Sequence, residues 1–172
     1  MRYWLDTEFI ESGPGEPIWL LSIGIVAEDG REFYAVVADA PHEKANDWVK
    51  QNVLPHLIPV GGQPHFYAPH GKIGALIKAF IGHVYRPEFW GYYADYDWVV
   101  FCQCFGAMVD LPKGWPMYCC DLKQWCDMLG NPRLPAQEST LHNALNDARW
   151  NRSAWEFLRQ QQADHERSLC GL

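Results

Sequence analysis

A short acidic motif inside an apolar segment constrains this chain most. Leu5-Asp6-Thr7-Glu8-Phe9 lies between Tyr3 and Ile10, so the segment has the pattern of a buried strand. Side chains two apart on a strand point to the same face, which places the carboxylates of Asp6 and Glu8 roughly 7 Å apart. Two buried carboxylates repel each other and lose hydration unless positive charge lies between them. The pair is therefore either a ligand set for a divalent cation or part of a cap or ion pair with an unseen arginine.

Length and charge limit the classes of protein to consider. The chain has 172 residues, 48% of them hydrophobic, which is enough for one domain spanning 1–172 with a packed core. Its formal net charge of −7 argues against a protein that holds nucleic acid by a broad basic surface. A polyanionic substrate would need metal ions or a local basic patch.

The N-terminal residues and the cysteines indicate a compartment. The chain has no signal-peptide pattern and no apolar run as long as a membrane span, so we expect a cytoplasmic protein that does not contact a membrane. We expect its six cysteines to be reduced and mostly buried. Five of them, at Cys102, Cys104, Cys119, Cys120 and Cys126, lack the paired Cys-x-x-Cys spacing of a structural zinc site.

The first third of the chain has the pattern of an antiparallel meander. Turn-forming residues fill 11–17, and 18–27 is rich in Leu, Ile and Val. Asp29-Gly30 is a strong hairpin signal, and Glu32 to Val37 alternates as a returning strand. The sequence therefore predicts three antiparallel strands at the start of the fold.

The remaining chain alternates helical and strand patterns. A helical stretch after Pro41 places Trp48, Val49, Val53, Leu54 and Leu57 on one side, with a loop at Gly61-Gly62-Gln63-Pro64. Helices are predicted over 73–81, behind Asp97, over 121–129 and over 141–162, and strands over 89–94 and 115–120. The last ten residues are polar and are expected to fray. This order predicts an α/β domain with a mixed five-stranded sheet flanked by helices.

A third acidic position follows the aromatic strand. Asp97 stands at the end of that strand and the start of a helix, where α/β sheets tend to form ligand crevices. Asp is also a preferred N-cap, so a capping role remains open for Asp97. Asp95 has the same chemistry two residues earlier and competes for either role.

The last predicted helix brings Asp147 and His142. Asp147 lies among inward-facing apolar positions, where an isolated carboxylate is costly, and neither Arg149 nor Arg152 is at the best helical spacing to pair with it. His142 precedes it by five residues, which is roughly 140° around a helix, so His142 fits better in the turn after the candidate caps Ser139 and Thr140. There it is either a surface residue or an imidazole able to accept a proton.

In chain order, Asp6-x-Glu8, Asp97 and His142-x-x-x-x-Asp147 resemble the active-site pattern of the DEDDh branch of 3′-to-5′ exonucleases. The resemblance covers most of the chain in element order, because that family's RNase H-like fold begins with a meander bearing Asp-x-Glu and ends with a helix bearing the last Asp. Within that group, the segments 4–11, 26–36 and 91–97 look most like the polyadenylate-preferring exoribonucleases of the RNase AS type.

The resemblance implies a three-layer RNase H-like fold and a role for each residue. It implies that Asp6, Glu8, Asp97 and Asp147 hold two divalent ions and that His142 deprotonates the attacking water. In the family the second-motif ligand follows an aromatic residue, which selects Asp97 and leaves Asp95 as an extra residue. Thr7 and Phe9, beside Glu8 and with His142, correspond to positions that hold the terminal nucleotide.

The implied activity is metal-dependent 3′-to-5′ hydrolysis of single-stranded RNA to nucleoside 5′-monophosphates, with adenylate-rich tails as preferred substrates and a homodimer as the assembly. Carboxylates without cysteine suit two Mg²⁺ ions, and Mn²⁺ would also fit. Two alternatives stay open. One is a proofreading-type DNA exonuclease, because no 2′-hydroxyl reader is identified. The other is an RNA-binding module without catalysis.

Overall fold

A computed structural model describes residues 1–58, 64–137 and 142–170. The predicted loop at Gly61-Gly62-Gln63 lies outside these ranges, and so do the candidate caps Ser139 and Thr140. The final predicted helix was expected to begin at Leu141, which also lies outside them.

The described chain forms one mixed sheet with helices on both faces. Its strands are β1 (Arg2–Ile10), β2 (Trp19–Ala27), β3 (Glu32–Val37), β4 (Phe66–Ala68), β5 (Glu88–Gly91) and β6 (Cys120–Asp121). They are ordered β4-β3-β2-β1-β5-β6. β1, β2 and β3 pair antiparallel, whereas β4, β5 and β6 pair parallel to their neighbours. The predicted mixed sheet and its opening meander are confirmed, with six strands in place of five.

The meander forms where its turn chemistry indicated. Gly30 has a φ of 89°, a left-handed conformation that glycine adopts without steric cost, and its N–H donates to the carbonyl oxygen of Ala27 at 2.9 Å. The hairpin then pairs Val26 with Glu32 and continues to Ser22 opposite Val36.

The parallel strands differ from the predicted ones. β4 was missed, because three residues on a sheet edge give too short a pattern to recognise. The predicted strand over 115–120 overlaps the observed β6 only at Cys120. β5 ends at Gly91, earlier than the predicted Ala94, because Tyr93 has a φ of 55° and turns the chain out of the sheet.

The described residues form five α-helices beside the sheet: α1 (Asp47–Asn52), α2 (His70–Ile81), α3 (Asp95–Gln103), α4 (Leu122–Met128) and α5 (Ala144–Cys170). α1 is short, with Asn46 as its N-cap. Trp48 on it is 54% exposed whereas Val49 and Val53 are buried, so the prediction that Trp48 shares their side was wrong. α5 continues to Cys170, beyond the predicted end at Gln162, through residues that were expected to fray. Among the described residues, no helix combines the length and the apolarity needed to cross a bilayer.

The alternation of side chains along β1 positions the acidic motif. Tyr3 and Leu5 belong to the core between the sheet and α2 and α3, whereas Trp4 belongs to the core under α4 and α5. Because successive side chains of a strand point to opposite faces, Asp6 continues on the α5 face and Thr7 on the α3 face.

Candidate active site

The structure places the seven residues predicted for the site around one cleft. This cleft has a volume of about 410 Å³, and its lining includes Asp6, Thr7, Glu8, Phe9, Asp97, His142 and Asp147. They come from β1, from the first turn of α3, from the turn that precedes α5 and from the first turn of α5, so segments far apart in the chain meet here.

Three carboxylates form the acidic centre of the cleft. One carboxylate oxygen from each of Asp6, Glu8 and Asp147 lies within 4.8 Å of the others. Asp6 and Glu8 reach this point from the same face of β1, which is the spacing that the Asp-x-Glu motif predicted. Asp147 faces them from the first turn of α5, where its N–H donates to the carbonyl oxygen of Asn143 at 3.0 Å.

Burial and mutual repulsion disfavour the charged forms of these carboxylates. The pKa of Asp6 is well above its usual value because of burial, and then because of the nearby Asp97, Glu8 and Asp147. Burial, followed by repulsion from Asp147 and Asp97, raises the pKa of Glu8 to about 8. Burial is also the main cause that raises the pKa of Asp147. The cluster therefore needs added positive charge to be ionised at neutral pH.

No lysine or arginine among the described residues supplies that charge. The residues that line the cleft include no Lys or Arg. Arg149 pairs with Glu32 at 2.7 Å, and Arg152 pairs with Glu156 at 3.0 Å, so neither arginine neutralises Asp147. Oxygen donors grouped in this way, without a cationic partner, fit a hard divalent cation. Among the described residues, no arginine forms the ion pair that was the alternative for the Asp6–Glu8 motif or for Asp147.

Asp97 differs from the other three carboxylates because it is held by hydrogen bonds from Thr7. Its Oδ1 accepts hydrogen bonds from the backbone N–H of Thr7 at 2.8 Å and from the Thr7 hydroxyl at 2.5 Å. Burial raises the pKa of Asp97 to about 6, and the two bonds from Thr7 oppose that rise. Both bonds end on Oδ1. The other oxygen, Oδ2, does not contact Thr7 in this way and can bind another partner in the cleft.

Capping and exposure distinguish Asp97 from Asp95. The N-cap of α3 is Ala94, with no side-chain capping bond, so Asp97 does not cap that helix. Asp97 is only 6% exposed, whereas Asp95 is exposed and does not line the cleft. Asp97 is therefore the acidic residue that α3 contributes to the cleft.

His142 lies in the turn that enters α5, as its spacing from Asp147 predicted. It has a φ of 60°, two residues before α5 begins at Ala144. The His142 ring makes an edge-to-face contact with Trp48, with centroids 4.9 Å apart and planes at 81°. Trp48 comes from α1, so α1 adjoins the cleft at the imidazole.

Asn143 fixes the chain next to His142. Its Oδ1 accepts from the N–H of Asn146 at 3.2 Å, which caps α5. Its amide nitrogen donates to the hydroxyl of Tyr34 at 3.1 Å and to the carbonyl oxygen of His56 at 2.8 Å. Burial raises the pKa of Tyr34 to about 12, so its hydroxyl stays protonated and donates to the Leu57 carbonyl oxygen at 2.6 Å.

A glycine on β2 lets α5 approach the sheet. Gly24 is paired with Asp6 in the antiparallel register. A Cβ at Gly24 would lie 2.2 Å from the carbonyl oxygen of Ala144, which is closer than real contacts allow. The missing side chain therefore sets the distance between the start of α5 and the strand that carries Asp6.

Several cleft residues were missed by sequence reasoning: Tyr92, Tyr93, Tyr96, Gln137, Trp150 and Asn151. Asn151 is four residues after Asp147, the spacing of one helix face, and that signal could have found it. Its amide donates to the Leu5 carbonyl oxygen at 2.8 Å.

Two of the other missed residues contact predicted site residues. Tyr96 stacks on Phe9, with centroids 5.6 Å apart and planes at 11°. Gln137 donates to Asp147 from a segment with no sequence pattern.

Comparisons with known proteins show what the chain is similar to. Two relatives from Mycobacterium tuberculosis, the 3′-5′ exoribonucleases Rv2179c of strain H37Rv and MT2234.1 of strain CDC 1551, are each 41% identical over 151 residues. The alignment with each covers 87% of this chain and 88% of the relative.

A solved structure shows the same fold at low sequence identity. E. coli Exonuclease I, in complex with a dT13 oligonucleotide, matches with a TM-score of 0.59 and 13% identity. The match covers 98% of this chain and 43% of that chain. The predicted RNase H-like α/β fold is thereby confirmed.

The model of the 3′-5′ exoribonuclease Rv2179c-like domain matches residues 1–159, which include every predicted site residue. The chain therefore belongs to the Rv2179c-like family of 3′-5′ exoribonuclease domains.

Proposed function

We propose that this protein is a divalent-metal-dependent exoribonuclease of the DEDDh type, which releases nucleoside 5′-monophosphates from the 3′ end of single-stranded RNA. The observation that carries the proposal is the convergence of Asp6, Glu8 and Asp147 within 4.8 Å, in a cleft that Asp97 and His142 also line. Membership of the exoribonuclease family supports the same activity.

Asp6, Glu8 and Asp147 would hold the metal, with Asp97 as the fourth acidic ligand. Their oxygen donors suit Mg²⁺, and Mn²⁺ would substitute. Two such ions would supply charge neutralisation at the scissile phosphate and a water of lowered pKa. The residues themselves keep the ligand oxygens in place through the strand pairing of β1 and the first turn of α5.

His142 would accept the proton of the attacking water. It lies in the cleft but outside the three-carboxylate cluster, so its imidazole is available to a water at the phosphate. Its place in the turn before α5 and its contact with Trp48 orient the ring. In that role the imidazole nitrogen accepts the proton as the water attacks.

Thr7 and Phe9 would hold the terminal nucleotide beside Glu8. Thr7 is fixed by its two bonds to Asp97, and the ring of Phe9 is backed by Tyr96. A stacked pair of rings presents a flat face suited to a nucleobase. The negative net charge is consistent with this mode, because metal ions and stacking would replace a broad basic surface.

The RNase AS-like segments of the sequence favour polyadenylate tails as substrate and a homodimer as the assembly. Free thiols at Cys102, Cys104, Cys119, Cys120 and Cys126 are consistent with a reducing compartment such as the cytoplasm.

The test is to incubate the wild-type protein with a 5′-labelled single-stranded RNA in the presence of Mg²⁺ or of EDTA. We expect stepwise shortening from the 3′ end and nucleoside 5′-monophosphate products with Mg²⁺ only. His142→Ala should lower the rate by about 10²- to 10⁴-fold. Shortening that persists in EDTA, or an unchanged rate in His142→Ala, would contradict the mechanism.

Two substrate comparisons separate this proposal from its alternatives. Faster cleavage of DNA than of RNA of the same sequence would favour a DNA exonuclease, and binding without any cleavage would favour an RNA-binding module. Comparison of the four homopolymer RNAs tests the base preference. Equal rates on all four would contradict the polyadenylate assignment and leave the exoribonuclease activity standing.

A further inference from the structure

Tyr93 has an unusual backbone conformation at the edge of the cleft. Its φ of 55° lies in the left-handed region, which bulky residues rarely adopt. It follows β5 and precedes α3, and the next residue, Ala94, is held by a hydrogen bond from its N–H to the carboxylate of Asp121 at 2.7 Å. The conformation is therefore imposed by the turn that leads to Asp97.

The fold gains little from a tyrosine at this position. The Tyr93 side chain is 62% exposed, so burial of its ring offsets little of the backbone cost. Asn or Gly would adopt the same φ more readily. Strained residues of this kind are concentrated at functional sites, and Tyr93 and His142, both with positive φ, line the same cleft.

The ring of Tyr93 is supported from behind. It packs edge-to-face on Tyr92, with centroids 4.7 Å apart and planes at 71°. Tyr92 in turn packs on Trp150 of α5, with centroids 5.0 Å apart and planes at 88°. This row of three rings holds Tyr93 from one side and leaves much of its surface open to solvent.

The cleft therefore has two aromatic surfaces at different depths. Phe9 is half-buried, stacks on Tyr96 and lines the same cleft as the carboxylates. Tyr93 is the most exposed aromatic ring among the cleft-lining residues that the structure describes. A strand whose 3′ end lies at Glu8 would pass the more exposed ring with a nucleotide upstream of the terminal one.

We propose that Tyr93 is a binding residue that stacks on the base next to the 3′-terminal nucleotide. The inference rests on the proposed exoribonuclease function. A base is the fitting partner because no Lys or Arg lines the cleft to hold the strand by its phosphates. Aromatic stacking accepts every base, so this contact adds affinity without adding base preference.

The test combines a variant with a modified substrate. Tyr93→Asn removes the ring and keeps a residue that tolerates positive φ, and Tyr93→Gly replaces it if Tyr93→Asn fails to fold. The substrates are an RNA oligonucleotide, the same RNA with an abasic ribose at the second position from the 3′ end, and the same RNA with a terminal abasic ribose. KM is measured for the wild type, Tyr93→Asn, Tyr93→Phe and the control Tyr118→Asn, whose tyrosine is 66% exposed outside the cleft.

We expect Tyr93→Asn to raise KM roughly tenfold on intact RNA and on RNA with a terminal abasic ribose, because one stacked base is lost. On RNA with the second base missing, the wild type should already show the raised KM, and Tyr93→Asn should add nothing. Tyr93→Phe and Tyr118→Asn should match the wild type. The melting temperature of Tyr93→Asn should equal or exceed that of the wild type, which separates a binding role from a structural one.

Two results would overturn the inference. One is an unchanged KM in Tyr93→Asn, and a shift in molar mass by sedimentation together with that unchanged KM would assign Tyr93 to a contact between copies of the chain. The other is an equal rise in the KM of Tyr93→Asn on intact RNA and on RNA that lacks the second base. Absence of cleavage by the wild type would contradict the proposed function and this inference together, whereas cleavage with either of these two results would contradict the inference alone.

Discussion

Thr7 donates both its backbone N–H and its hydroxyl to the same carboxylate oxygen of Asp97. The two bonds join β1 to α3 beside Asp6 and Glu8, which line the same cleft as Asp97. They lie inside the protein, where Thr7 is 5% and Asp97 is 6% exposed. A single threonine therefore aligns the second acidic motif with the first.

Thr7→Val tests this alignment, because valine keeps the shape and the backbone bond but loses the hydroxyl. A hydrogen bond to a charged group contributes about 1.5–3 kcal/mol, so we expect a lower melting temperature and a lower kcat. Thr7→Ser keeps the hydroxyl and is the matched control. Equal kcat in Thr7→Val and the wild type would show that the Thr7 hydroxyl does not align Asp97.

Asp97→Asn and Asp95→Asn form a second matched pair. Asp97→Asn removes a buried charge from the cleft, and we expect it to lower kcat by at least about 100-fold, the scale of a lost charge-stabilising group. Asp95 is exposed outside the cleft lining, so Asp95→Asn should keep nearly full activity. The reverse order of the two rates would assign the second acidic motif to Asp95.

Gly24→Ala should displace the start of α5. The new Cβ would meet the Ala144 carbonyl 2.2 Å away, and backbone on both sides leaves no flexible group to move. Overpacking of this kind costs about 1–3 kcal/mol, and the shift should also move His142 and Asp147 away from Asp6. Thermal unfolding and kcat check it. Gly30→Ala is the control, because no atom lies within 4 Å of a Cβ there and only its φ is strained, so it should lose stability without comparable loss of kcat.

The raised pKa values of the cleft carboxylates make the folding stability of the metal-free protein depend on pH. The pKa of Glu8 is about 8 and that of Asp97 about 6, both above their values in an unfolded chain, near 4. Between about pH 4 and about pH 8 these two carboxyl groups hold more protons in the folded protein than in the unfolded chain. The protonated carboxyl groups therefore favour the folded state in acid, and this contribution to stability is lost as the pH rises towards about 8.

Thermal unfolding in EDTA and in Mg²⁺ measures this effect. We expect the gain in melting temperature from Mg²⁺ to be larger near pH 8 than near pH 5, because bound cations favour the ionised carboxylates. Glu8→Gln should raise the melting temperature in EDTA at the higher pH, since it removes a repelling charge. A gain from Mg²⁺ that does not depend on pH, or a Glu8→Gln variant that is destabilised in EDTA, would contradict the charge account.

The sequence was sufficient where local chemistry decides the structure. Asp29-Gly30 specified a hairpin, and the period of two along β1 placed Asp6 and Glu8 together on one face. The five-residue step from His142 to Asp147 likewise separated a turn residue from a helical one.

Features that depend on distant partners could not be predicted. β4 exists because three residues pair with the edge of β3, and β6 reduces to two residues beside β5. Asn143 follows His142 in the sequence, but its importance comes from Tyr34 and His56, which no local pattern connects to it. The left-handed turn at Tyr93 gave no signal either, because glycine or asparagine is the usual residue there.

The central claim is that Asp6, Glu8 and Asp147 bind the divalent cations of an exoribonuclease. The most direct measurement is a calorimetric titration of Mn²⁺ into the wild type, Asp6→Asn, Asp147→Asn and His142→Ala, each in the presence of the product nucleotide. The account predicts two bound ions for the wild type and for His142→Ala, and weakened or lost binding in both aspartate variants. Wild-type Mn²⁺ binding in Asp6→Asn and Asp147→Asn would contradict it.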